Sequence, residues 1–150
     1  MITGCACWTT DVTNSNGREF WAEYKPQQKH ILIKDVLLYE EKSNLKLAYF
    51  SDKFVENYKN SPNPELYEDL KVKGIVKAGA ILKTSRVLRE KCPASFLVKA
   101  TDSVTPYATI LTGEFKGKEV NLEQVSSPYV RTGEEIILPL SNNQNLKENH

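Results

Sequence analysis

The stretch that decides the fold is Leu70-Lys71-Val72-Lys73-Gly74-Ile75-Val76-Lys77-Ala78-Gly79-Ala80-Ile81-Leu82-Lys83. Leu70, Val72, Gly74, Val76, Ala78, Ala80 and Leu82 take every second position, and Lys71, Lys73, Lys77 and Lys83 fall on the opposite phase. A period of two sends alternate side chains to opposite faces of a strand. The rival reading, a helix, would carry two internal glycines, each costing about 1 kcal/mol relative to alanine. Few strands run this long without interruption, so Gly74 and Gly79 are the expected points of bulge or bend.

Upstream of that stretch the same logic gives hairpins. Asn16-Gly17, flanked by Cys5, Cys7 and Trp8 before and Phe20, Trp21 and Tyr24 after, is a strong short hairpin signal because both turn residues tolerate positive φ. A return strand is expected near Arg18–Tyr24, stopped by Pro26. Lys29–Glu41 carries apolar residues on both phases and reads as one central strand buried on both faces. Lys42-Ser43-Asn44 turns it into a second hairpin with Leu45–Phe50. Ser51 or Asp52 can then N-cap a short helix with Phe54, Val55 and Tyr58 as its apolar stripe, broken by Asn60-Ser61-Pro62-Asn63-Pro64. Asn63 and Pro64 can start a second helical turn, with Glu65, Glu68 and Asp69 at its positive end.

Downstream, Arg86, Arg89 and Lys91 read as a short polar segment ended by Cys92-Pro93, and Ser95–Thr101 as a strand. Tyr107–Phe115 and Lys118–Leu122 form a third hairpin around Lys116-Gly117-Lys118. Glu134–Leu140 is a final strand. The polar tail 141–150 has too little apolar surface to pack. Residues 1–140 are thus expected to form a single globular domain followed by a flexible polar tail at 141–150. The element pattern is that of a mainly β protein, a small antiparallel barrel or sandwich with one or two short helices, with α+β as the alternative.

The 150 residues are 40% apolar and 26% charged, with a net charge of +1. This is a globular composition and speaks against a surface devoted entirely to gripping duplex DNA. Met1–Gly4 has no basic n-region, and no apolar run approaches the ~20 residues that span a bilayer. The expectation is a cytoplasmic chain with no membrane partner. Cys5, Cys7 and Cys92 are an odd number and a poor disulfide framework. Their spacing with His30 and His150 matches no four-ligand zinc pattern, so no metal or other cofactor is expected, and Cys5 and Cys7 read as small buried hydrophobes.

Nothing fixes a reaction. His30 is the one non-terminal histidine and the only candidate base for Cys5, Cys7 or a carboxylate, which keeps a small enzyme with a site around His30 as an alternative. Within Glu40-Glu41, Glu68-Asp69 and Glu134-Glu135 neighbouring carboxylates diverge if they lie on strands. No phosphate-binding glycine loop is present. One feature stands out. Between Lys71 and Lys91 seven cations face Glu90 alone, a local excess of six in a chain whose total is +1. On one extended ribbon, Lys71, Lys73, Lys77, Lys83, Arg86 and Arg89 would present a basic surface to an anionic partner. Single-stranded nucleic acid, a nucleotide and an acidic protein surface are the candidates. The competing readings are a solvated face with edge-protecting lysines and a protein–protein interaction, inhibitor or assembly factor, including a homo-oligomer.

Overall fold

The structure, a computed structural model, describes residues 7–14, 24–49, 51–62, 65–67, 70–126 and 135–141. It is mainly β. In chain order the elements are β1 (Trp8–Asp11), β2 (Lys29–Leu32), β3 (Val36–Glu41), β4 (Asn44–Ala48), α1 (Asp52–Asn60), β5 (Glu65–Tyr67), β6 (Leu70–Val76), β7 (Ile81–Cys92), β8 (Thr101–Ile110), β9 (Glu119–Gln124) and β10 (Ile137–Pro139). Nine strands hydrogen-bond along one path, β10-β2-β7-β8-β9-β4-β3-β6-β5, and β1 joins β7 off that path. All pairs are antiparallel except β4–β9. The ladder does not close, yet β2 at one end and β3 near the other are joined by residues 33–35 alone. The sheet therefore curls, and Leu32, Val36, Leu38, Val76, Leu82 and Ile110 share one buried cluster.

The decisive stretch behaves as its period requires, with one correction. Val72 and Val76 are buried while Lys71 and Lys73 are exposed. The ladder between β3 and β6 slips at Leu38/Tyr39, opposite Gly74. A Cβ on Gly74 would sit 2.8 Å from the Phe115 ring, so glycine admits that ring to the core. Gly79, at φ 95°, is no bulge. It lies in a turn that ends β6 and starts β7. The expected long strand is two strands, and the second runs on to Cys92. Its alternation is reset by a bulge between Thr84 and Arg86: Leu82 and Thr84 point inward before it, Val87 after it.

Other expectations are corrected too. Lys29–Glu41 breaks into β2 and β3, because at the link the Asp35 carboxylate accepts the Ala78 N–H (2.8 Å) and the Lys59 ammonium. These bonds tie the link to the β6–β7 turn and to α1, and hold the Asp35 carboxyl below its ordinary pKa, the Ala78 N–H contributing most. Residues 65–67 pair with β6 as a strand, not as a helical turn. Residues 93–100 form a loop, not a strand. The β3–β4 hairpin turns at Lys42 and Ser43, both at positive φ, as a two-residue hairpin turn requires. The Ser51 hydroxyl caps α1 by accepting the Phe54 N–H at 3.0 Å. Pro139 sits on β10, where the sheet ends and its missing N–H costs no ladder bond. The Asn16-Gly17 turn, its return strand and the polar tail from residue 142 lie outside the described residues.

Candidate functional site

The basic residues do not form one ribbon. Lys71 and Lys73 stand on β6 and Lys77 just beyond it, whereas Lys83, Arg86 and Arg89 stand on β7. Along the ladder, β3, β4, β9 and β8 separate the two groups. Carboxylates of the same chain hold three of the six. Lys73 faces Glu40 at 3.9 Å. Arg86 donates to Glu119 at 2.9 Å, which also accepts the Ser85 hydroxyl at 2.6 Å, and its guanidinium lies 4.6 Å from the Tyr107 ring centre. Arg89 grips Asp102 with Nε and Nη2 at 2.8 and 2.5 Å. This fork holds the Asp102 carboxyl below its ordinary pKa. Lys71, Lys77 and Lys83 have no ion pair among the described residues. Lys83 does have a cationic neighbour, since Lys29 is its direct partner across the β2–β7 ladder and the two share a face.

His30 is walled into the core. It is 1% exposed, its ring centre lies 5.1 Å from that of Tyr24 with the rings tilted by 32°, and Nε2 meets the Thr84 hydroxyl at 3.2 Å. Nδ1 is buried with no hydrogen-bond partner among the described residues. Burial pushes its pKa down to about 4, so the ring is neutral at pH 7. No described acid orients it. A general base needs reach to a substrate, and at 1% exposure this ring is cut off from solvent.

The cysteines depart from the expectation of buried hydrophobes. Cys7 is exposed and forms a disulfide with Cys92, 85 residues away in sequence. Cys5 lies outside the described residues. The Glu90 carboxylate lies near both sulfurs, but disulfide sulfurs are not the thiolates that a soft metal requires. The bond staples β1 to the end of β7, next to the Trp8–Lys91 pairing.

That end of β7 belongs to a projecting arm. The β7–β8 ladder runs from Leu82–Ile110 to Cys92–Thr101. β9 covers β8 only at Tyr107–Thr109, and β2 covers β7 only at Ile81–Lys83. Beyond Leu88 the hairpin is flanked, among the described residues, by β1 alone. At its tip the Ser95 N–H donates to the Val98 carbonyl at 2.8 Å, a tight turn that holds Phe96 and Leu97 outward. Phe96, Leu97 and Val98 are 98%, 86% and 60% exposed, and Trp8 is 56% exposed. Beside them lies a shallow pocket of about 310 Å³, lined by Trp8, Lys91, Cys92, Pro93, Ala100, Thr101 and Asp102. A second cleft, of about 300 Å³, lies between the β6–β7 turn and the 112–115 loop. Its charged lining residues, Lys77 and Glu114, make no catalytic arrangement.

The arm was not legible from sequence. Phe96-Leu97-Val98 reads as the apolar centre of a strand, and nothing in an apolar run states whether it is buried. The available signals were Cys92-Pro93 as a strand stop and Lys91 and Lys99 as polar flanks. No described helix is long and apolar enough to cross a membrane. No protein-family model, curated protein or solved structure matches the chain.

Proposed function

We propose that this chain is a non-catalytic protein-interaction module whose docking element is the tip of the β7–β8 arm. The observation that carries the reading is the exposure of Phe96, Leu97 and Val98 at the end of the β7–β8 ribbon. Leaving such a side chain in water forgoes about 1.5–3 kcal/mol relative to full burial. Contiguous exposed apolar patches mark interaction sites. The tip is also preorganised: the Arg89–Asp102 fork and the Cys7–Cys92 bond tie its two strands and β1 together. Little ordering is left to oppose association.

A photo-crosslinking side chain at position 97, compared with one at the exposed Lys53 of α1, tests the reading. Discrete protein adducts at 97 and none at 53 are expected. Equal labelling at both positions, or none at 97, rejects it. A cytoplasmic location requires the disulfide to survive a reducing thiol pool, which usually removes such bonds. Thiol labelling of Cys7 and Cys92 in intact cells decides that point.

A second reading keeps an anionic partner but moves its centre to Lys29 and Lys83. Like charges directly opposite on neighbouring strands are destabilising, and a bound phosphate or carboxylate would relieve that repulsion. Affinity for a labelled single-stranded oligonucleotide should fall steeply with salt and drop at least tenfold in Lys29→Gln/Lys83→Gln. Unchanged affinity in that variant removes this reading.

A further inference from the structure

We infer that Cys7, Cys92 and Glu90 form a redox-gated site for a thiophilic divalent cation, Zn²⁺, which the chain takes up once the Cys7–Cys92 bond is reduced. β1 and β7 bring the three side chains together. Cys7 lies one step beyond the Trp8–Lys91 pairing, so it stands directly across from Cys92, with the Cα atoms 4.2 Å apart. Glu90 precedes Cys92 by two residues on β7, and alternation puts both on one face of the ribbon. The Glu90 carboxylate comes to 3.8 Å from the Cys92 Sγ, and one of its oxygens and both sulfurs lie within 4.8 Å of one another. Two thiolates and a carboxylate are a zinc donor set, with the fourth position left to water. Thiolates select Zn²⁺ or Cu⁺, and the carboxylate favours the divalent ion of the two.

Two further observations set this cluster apart from a chance acid beside a staple. The strand registers give the face of Cys7, Glu90 and Cys92 only uncharged neighbours, Thr9 on β1 and Thr101 and Ser103 on β8, whereas Arg89, Lys91 and Asp102 fall on the other face. Glu90 has no ion pair among the described residues, so its charge is left for a cation. β1 is also anchored independently of the disulfide. Val12 and Thr13 are buried, the Val12 N–H donates to the Val87 carbonyl at 2.9 Å, and the Thr13 hydroxyl accepts the Val87 N–H at 2.8 Å. The two sulfurs therefore stay opposed after reduction. A dithiol reductant supplies two electrons and two protons: the S–S bond breaks, two thiols form, and the reductant closes to its own disulfide. Zn²⁺ then displaces both thiol protons to water as two S–Zn bonds form, and a Glu90 oxygen is the third ligand. Bond and cation exclude each other at the same sulfurs, and either one clamps β1 to β7.

Anaerobic Zn²⁺ titration of the full chain against a chromophoric chelator, after reduction with excess dithiol and its removal by gel filtration, gives the test. Stoichiometric uptake by the reduced chain and none by the oxidised chain are expected. Glu90→Gln should weaken binding by at least the roughly tenfold that even an outer-shell partner of a metal site is worth. Cys7→Ser and Cys92→Ser should each abolish it, and Cys5→Ser should leave it intact. Glu90 is exposed, so the thermal midpoint of oxidised Glu90→Gln should match wild type. The apparent affinity of wild type should rise with pH, because binding releases protons. Zn²⁺ should also raise the thermal midpoint of the reduced chain, as a ligand of the folded state does. Cd²⁺ in place of Zn²⁺ needs no variant: sulfur-to-cadmium charge-transfer absorption with the intensity of two thiolates should appear in the reduced chain and vanish on reoxidation. A disulfide that excess dithiol leaves intact, equal uptake by oxidised and reduced chains, an unmoved midpoint, or Glu90→Gln binding as tightly as wild type overturns the inference. So does uptake lost in Cys5→Ser but kept in Cys92→Ser, which puts the cation on Cys5 and Cys7 instead.

Discussion

The same two strands, β7 and β8, behave oppositely at their two ends. At the inner end Leu82, Thr84, Val87, Ala108 and Ile110 are all but completely buried, and β2 and β9 flank the pair. At the outer end Glu90, Lys91, Thr101 and Asp102 are exposed, β1 is the only described neighbour, and Phe96 stands in solvent. The inner half gains its stability from apolar burial in the curled sheet. The outer half is held by a cross-strand ion pair and a disulfide, interactions that need no core. A ribbon built in this way can carry apolar side chains outward without its own fold drawing them in, since among the described residues no second layer covers them there.

The largest effect is expected at the inner end. Leu82→Ala should cost about 2–5 kcal/mol, the range for large-to-small changes in packed cores. Its effect would be read as a fall in denaturant midpoint. A cost under about 1 kcal/mol would mean that the two ends differ less than their burial suggests.

The next effect concerns His30, between Tyr24 and Thr84 in the same inner half. Its folded pKa of about 4 lies below the unfolded value of 6.5. Between those values the unfolded chain binds the extra proton. Stability is therefore fully present above pH 6.5 and lost as pH falls toward 4, by about 3 kcal/mol in all. Denaturant titrations at pH 7 and 4.5 should show most of that loss in wild type and little of it in His30→Leu. Asp35 and Asp102, held below the ordinary carboxylate value of 3.8, lose their contributions only at lower pH. An equal acid response in both proteins would place His30 in water and the core boundary elsewhere.

The smallest effect belongs to the tip. Phe96→Ser should change stability by less than about 0.5 kcal/mol, as surface substitutions usually do. A larger loss would show that the tip packs against its own chain.

How much of this was written in the sequence depends on the range of the interaction involved. The period of residues 70–82, the Lys42-Ser43 turn and the Ser51 cap are local, and each has its structural counterpart. The continuation of β7 was hidden because the bulge at Ser85 shifts the buried phase from Leu82 and Thr84 to Val87, which erases alternation when read along the chain. The break between β2 and β3 was hidden because its cause, Asp35 bonding to Ala78 and Lys59, spans more than twenty residues. The basic segment looked continuous because sequence distance ignores strand order. Glu40, Glu119 and Asp102, which take up Lys73, Arg86 and Arg89, are supplied by neighbouring strands.

The sequence by itself determined a β-rich chain with its β3–β4 and β8–β9 hairpins and one capped helix, since turn chemistry, capping and side-chain alternation act over a few residues. Only the tertiary structure decided that β4 and β9 run parallel, that Cys7 meets Cys92, that the lysines fall into two groups, and that Phe96-Leu97-Val98 faces water. Each of these is set by which distant strands become neighbours. That choice is made by burial and loop closure over the whole chain, and it leaves no periodic mark on any one segment.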